Sequence, residues 1–386
     1  MKRFRSRVGY AGLTCFFVFL SLQCSRATDE VVILRGDQRI YVEGEILVEA
    51  QDGGLLLADR QGTFWAVQPD EIQQRGTTDQ PFEPLNQKEA SEHLKKELPG
   101  FRTHVTRHFV IGYNTSEPYA RWCGALFERL YLAFYNYWRL QRVDLVEPKF
   151  PLVALVFASR DSYVEFAGAD FGDAPRPPFG YFSLRFNRVM MYDLTGIEEF
   201  GLGEGRISSG KLINRVLSQP RAAESVATII HEATHQIAFN CGIQTRYADV
   251  PMWVSEGLAI YFETPDLKSR RGWRGIGQIN SIRLQTFRRF LAARPADSLA
   301  TLIAVDDRFR SARTAAEAYA EAWALNYFLI KRKSEEYLEY TRLIAAKPYQ
   351  VYATPEERLQ EFKQVFGNLK LLDSEFTRYI TALAVE

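Results

Sequence analysis

The chain has 386 residues, of which 46% are hydrophobic and 25% charged. That balance allows one large domain or two modest ones with a packed core and excludes bulk disorder. The formal net charge is +1, but residues 1–27 hold five basic groups and no acidic one, so the remainder carries −4 and gives no basis for nucleic-acid binding.

The first 27 residues read as a signal peptide. Lys2, Arg3, Arg5 and Arg7 form a basic start, and 9–22 is uncharged and mostly apolar. Fourteen such residues fall short of the roughly 20 that a membrane-spanning helix needs. Ser25-Arg26-Ala27 places small residues where a signal peptidase reads them, so cleavage is expected after Ala27 and the mature protein is expected to be exported, with no stable membrane span. A retained anchor is the alternative. Cys24 offers a lipoprotein reading, against which the bulky Gln23 argues. Cys123 and Cys241 remain in the mature chain, either bridged or, preferably, as two separate buried thiols.

Residues 28–76 are expected to form a small all-β module. Val31-Val32-Ile33-Leu34 ends at Gly36-Asp37, 40–50 is extended in character, and Asp52-Gly53-Gly54 and Gln61-Gly62 mark turns around Leu55-Leu56-Leu57 and Phe64-Trp65-Ala66-Val67. No cluster of chemically active residues stands out in it. Residues 77–100 are expected to be a linker, with Gly76, Pro81 and Pro84 across 76–86, and a helix near 88–98 stopped by Pro99-Gly100.

Residues 101–386 are expected to form one α+β domain. Strand character at 101–105 and 108–113 suggests a hairpin. Ser116 caps a long aromatic helix to about 140, with Pro118 tolerated in its first turn, and Arg121, Glu128, Arg129 and Arg139 make it a core helix rather than a membrane span. Residues 151–158 read as an apolar strand, and 181–183 with 189–192 as a second strand pair. From Ala222 onward the pattern is almost wholly helical, and one late helix opens on the capping box Thr354-Pro355-Glu356-Glu357 and ends at Gly367.

The chemistry is concentrated in His231-Glu232-Ala233-Thr234-His235, which lies in a helical run opened by Pro220 and closed near Cys241-Gly242. Residues four apart share one helix face, so His231 and His235 can grip one zinc ion, with Glu232 beside them to take a proton from water. Zinc needs a third protein ligand. Glu256 follows 21 positions after His235, in Trp253-Val254-Ser255-Glu256-Gly257-Leu258-Ala259, where an unpartnered carboxylate among apolar neighbours would be costly.

This pattern resembles the gluzincin metallopeptidases, including the aminopeptidase N family. Over residues 101–386 the chain is also similar to an uncharacterised bacterial family of exported proteins, number 1570 among the domains of unknown function, and to the so-called peptidase MA-like proteins. Besides the two motifs above, Tyr319-Ala320-Glu321-Ala322-Trp323-Ala324-Leu325 carries the likeness. The resemblance implies a zincin-like domain, with a short sheet and an active-site helix, that hydrolyses peptides or proteins. It also implies a downstream Tyr or His for the oxyanion. Tyr319, 63 residues after Glu256, is the candidate, although Tyr319, Trp323 and Tyr327 also read as a plain core stripe.

Two features depart from better-known relatives. No GxMEN-like motif precedes the histidines, which favours endopeptidase over aminopeptidase action. Ile260 stands where thermolysin-like enzymes carry an Asp that orients a ligand histidine, leaving Glu263 or Asp249 for that task. The rival readings are a catalytically silent zinc-binding scaffold or envelope interaction protein, and a zinc hydrolase acting on a substrate other than peptide.

Overall fold

The structure, a computed structural model, describes residues 27–171, 179–196, 209–219, 222–264 and 275–384. Residues 1–26 of the expected signal segment, and Pro220, lie outside these residues. The fold is α+β, with an all-β N-terminal region and a helical C-terminal part.

Five antiparallel strands, β1 (Ala27–Arg35), β2 (Gln38–Glu49), β3 (Leu55–Asp59), β4 (Phe64–Val67) and β5 (Ile72–Pro81), form the first sheet in the order β4-β3-β2-β1-β5. The β1–β2 loop is the pair Gly36-Asp37, with Gly36 at φ +61, the left-handed geometry that a two-residue hairpin needs. Along β3 the apolar run does not alternate because both faces are covered. Leu55 and Leu57 join Val31, Ile33, Val42 and Val67 on one side, while Leu56 and Ala58 join Phe64, Phe82 and Phe150 on the other.

The linker expected to start at Gly76 begins later. Strand β5 continues to Pro81, with Gly76 opposite Glu30 and Pro81 opposite Ala27. This strand lies at the sheet edge, where proline is tolerated because its missing N–H need serve no neighbour.

Helix α1 (Gln87–Glu97) follows, capped by Asn86 and Glu89 in a box that the sequence reading missed. The second sheet is built from β6 (Arg102–Val105), β7 (Phe109–Tyr113), β8 (Leu152–Phe157), β9 (Gly180–Ser183) and β10 (Arg188–Tyr192), in the order β6-β7-β8-β10-β9. Strands β7, β8 and β10 run parallel, and β6 and β9 are antiparallel edges. Central β8 is buried at every residue, as an unbroken apolar run in a parallel sheet should be. Helix α2 (Glu117–Leu140) links β7 to β8, and α3 (Arg160–Phe171) follows β8. Ser116 caps α2 by accepting from Tyr119 N, and Trp122, Phe127, Phe134 and Trp138 bury its aromatic face.

The helical part comprises α4 (Gly210–Leu217), α5 (Ala223–Asn240), α6 (Met252–Phe262), α7 (Ser281–Leu291), α8 (Ser298–Ala304), α9 (Asp307–Arg310), α10 (Ala315–Arg332), α11 (Ser334–Ala345), α12 (Pro355–Phe366) and α13 (Leu369–Ala382). The capping box of Thr354 and Glu357 opens α12, and Gly367 closes it at φ +77. No helix among the described residues is long and apolar enough to cross a membrane. Cys123 on α2 and Cys241 at the end of α5 are separate buried thiols, so no bridge joins the two helices.

Two contacts position the centre of the molecule. Buried Gln236 on α5 donates from Nε2 to Val153 O and Asn187 O, each at 2.9 Å, fastening the helix to the sheet. Asn187, left-handed at φ +56 in the β9–β10 turn, exchanges amide hydrogen bonds of 2.9 and 2.7 Å with Asn240. The β9–β10 hairpin is thereby held along α5.

Candidate metal centre

His231 and His235 stand one turn apart on α5, their rings nearly perpendicular at 83° and their Nε2 atoms 3.1 Å apart. Glu256, in the second turn of α6, places Oε2 3.1 Å from His231 Nε2 and Oε1 3.5 Å from His235 Nε2. The three ligand atoms lie within 4.8 Å of one another, and all three side chains are at most 14% exposed. A nitrogen, nitrogen, carboxylate set converging in this way suits zinc, which favours tetrahedral sites with an open fourth position.

The approach of α6 depends on its neighbour α10. A Cβ on Gly257 would sit 1.9 Å from Asn326 Nδ2 and 2.6 Å from Ala322 O, so only glycine fits next to Glu256. Asn326 uses that space to donate to Trp253 O at 2.7 Å, and its Oδ1 accepts from Tyr337 OH at 2.7 Å.

The outer nitrogens of both histidines are engaged. His231 Nδ1 lies 2.9 Å from Glu263 Oε2, and Glu263 Oε1 accepts from Asn280 Nδ2 at 2.9 Å. His235 Nδ1 lies 3.2 Å from Ser255 Oγ, which contacts Gln244 Oε1 at 3.4 Å. Bonds of this kind fix ring orientation and tautomer and leave each Nε2 facing inward. Of the two acids offered for this task, Glu263 touches a histidine. Asp249 instead pairs with Lys347 and Arg358. Ser255, Gln244 and Asn280 were missed. Ser255 adjoins Glu256, which is a faint signal, whereas Gln244 and Asn280 carried none.

Burial opposes a charge on His231, but its bonds to Glu256 and Glu263 outweigh burial and push its pKa up to about 10. Burial likewise opposes the Glu256 carboxylate, yet His235 and His231 hold its pKa well below the ordinary range. Glu232 accepts from the Phe182 N–H of edge strand β9 at 2.8 Å, and burial raises its pKa.

Tyr319, unlike Tyr327, feels the charge of Glu256 and Glu232. The charge of Glu256, then burial, then the charge of Glu232 raise the Tyr319 phenol, so its hydroxyl lies in the field of both carboxylates. Its ring stands edge-on to Phe309 at 5.3 Å, with the Arg283 guanidinium 5.6 Å from the ring centre. Trp323 is fully buried, and Tyr327 packs on Trp323, Tyr261 and Tyr379. Tyr319 packs, partly buried, against the same core.

Fold and site together define a mixed α+β protein with a buried His-His-Glu cluster compatible with zinc binding. Residues 225–350 match the model of a family described as a protein of unknown function, DUF1570. The match runs through the segments that bear both histidines, Glu256 and Tyr319, and excludes both sheets, a narrower span than the expected 101–386. No curated protein matches the chain.

Proposed function

We propose that this protein is a zinc-dependent hydrolase of peptide bonds. The observation that carries the reading is the convergence of His231 Nε2, His235 Nε2 and one Glu256 oxygen within 4.8 Å, with both Nδ1 atoms already engaged. When bound, zinc supplies a Lewis acid that brings the pKa of water toward about 7 and polarises a carbonyl. Glu232 accepts the proton of the attacking water and returns it to the leaving amine. The Phe182 N–H holds one Glu232 oxygen and leaves the other for this exchange. Tyr319, kept protonated by the nearby carboxylates, donates to the oxyanion as it forms.

Support for a peptide substrate comes from β9. It is an edge strand beside the metal cluster, and an extended chain laid along it would use its other backbone groups, because the Phe182 N–H is committed to Glu232. Endopeptidase action and export with loss of residues 1–27 belong to the same reading.

The test combines zinc analysis with cleavage of an unbiased peptide pool. Wild type should hold about one zinc per chain and cut peptides. Glu232→Gln should keep zinc and melting temperature and lose about 10²–10⁴-fold in kcat. Tyr319→Phe should lose about a hundredfold with zinc unchanged, while Tyr327→Phe stays active. Equal cleavage by wild type and Glu232→Gln would overturn the mechanism. A zinc-loaded wild type that cuts no peptide would turn the reading toward a scaffold.

A further inference from the structure

The N-terminal sheet and the metal-bearing unit meet around a pocket of about 420 Å³, whose walls include Glu45, Phe64, Lys149, Phe239, Gln244 and Arg246. Arg246 is only 5% exposed. Its Nη1 donates to Gly62 O at 2.8 Å and Leu184 O at 3.0 Å, and its Cζ lies 3.7 Å from the Phe64 ring centre. Among the described residues no carboxylate pairs with it. Glu45 is paired with Lys149, and Asp59 accepts from Gln61 N, Thr63 N and Trp65 Nε1. Burial accordingly pushes the pKa of Arg246 down to about 10. A buried charge left without a partner is costly, and an arginine fork suits a carboxylate.

A second observation points the same way. Gln244 is 2% exposed, and its Nε2 has no hydrogen-bond partner among the described residues. Its Oε1 faces Ser255 Oγ, which faces His235 Nδ1. With His235 Nε2 turned to the metal position, Nδ1 carries the proton and donates to Ser255, and Ser255 donates to Gln244 Oε1. That direction leaves the Gln244 amide N–H groups for another acceptor. The pocket also borders the centre itself, because Phe239 packs between His235 at 6.4 Å and Phe182 of the edge strand at 5.9 Å.

We propose that this pocket binds a carboxylate of the substrate, with Arg246 as counter-charge and Gln244 Nε2 as a second donor. The proposal rests on the peptide-hydrolase reading and adds a substrate class to it: chains that present an acidic side chain or a free C-terminus near the cleaved bond. It also gives the N-terminal sheet a task. Phe64 and Gly62 hold the arginine side chain, so the sheet forms one wall of the substrate site.

The test uses the zinc-loaded Glu232→Gln protein and four small probes, read by calorimetry. N-acetylglycine carries only a C-terminal carboxylate, and N-acetylglutamic acid α-amide only a side-chain one. N-acetylglycinamide and N-acetylglutamine α-amide are their neutral counterparts. At least one acid should bind about tenfold tighter than its neutral partner, and which one does so identifies the source of the carboxylate. Bound zinc also attracts carboxylates, so the deciding quantity is the preference that Arg246→Gln removes while zinc content stays unchanged. Arg246→Lys should restore part of it, and Gln244→Leu serves if Arg246→Gln lowers the melting temperature strongly. A preference that survives these substitutions overturns the proposal. Peptides cut by wild type with no dependence on Arg246 for acidic over neutral sequences overturn it too, and leave the hydrolase reading standing. If no peptide is cut, the hydrolase reading fails, while the probe measurements still decide whether Arg246 holds a carboxylate.

Discussion

Two buried clusters of ionisable groups, one around Asp249 just before α6 and one around His231 on α5, are built differently. Around Asp249 the charges answer one another. Lys347 bridges Asp249 at 2.8 Å and Glu361 at 2.7 Å, and Arg358 bridges Asp249 at 2.5 Å and Asp306 at 3.2 Å. Burial opposes the Asp249 charge, but these cations still hold its pKa low. Asp306 also accepts from Met252 N at 3.0 Å, so this cluster fastens the start of α6. Around His231 the carboxylates are Glu232, Glu256 and Glu263, and among the described residues no lysine or arginine bonds to any of them. The first cluster is complete as a structural clamp. Among the described residues the second has a deficit of positive charge, which protons or a cation can meet.

Predictions that break this comparison start with the largest effect. His235→Ala or Glu256→Ala should empty the metal site, with zinc after dialysis falling from about one per chain to near zero. Retention of zinc by Glu256→Ala would show that another carboxylate serves. Asp249→Asn should leave zinc stoichiometry intact under native conditions yet lower stability in urea by about 3 kcal/mol, because Lys347 and Arg358 lose a buried partner. If instead Asp249→Asn removed zinc and left stability unchanged, the two clusters would have exchanged roles.

The smallest effect is one of pH. In the metal-free protein the His231 pKa is raised to about 10, above its ordinary 6.5, so the imidazolium stabilises that fold fully below about pH 6.5 and the contribution fades through about pH 10. Zinc requires the neutral ring and must expel this proton. Apparent zinc affinity, measured against a competing chelator, should therefore rise about tenfold per pH unit between about pH 7 and 8.5, with about one proton released per zinc. A flat profile would mean that His231 is already neutral and that its bonds to Glu256 and Glu263 are weaker than drawn.

Much of this molecule is local and was therefore legible in the residues. The four-residue spacing of His231 and His235 puts them on one helix face whatever surrounds them. The caps at Ser116 and Thr354 and the turn at Gly36-Asp37 are decided within a few bonds. The apolar runs of β3 and β8 read as strands, while the cover on both their faces comes from the packing around them. Tertiary packing decided the rest, because it sets which distant side chains share a space. Glu263 and Asp249 were equal candidates until the path of α6 brought one to His231 and the α12 arginine claimed the other. Tyr319 and Tyr327 share one stripe, and only the Tyr319 phenol feels the charge of Glu256, which spacing along α10 does not reveal. Strand β5 outran its Gly and Pro signals because an edge position tolerates both. The pairing of Arg246 with the carbonyl of Gly62, 184 residues away, has no periodicity to betray it and exists only because the two sheets dock.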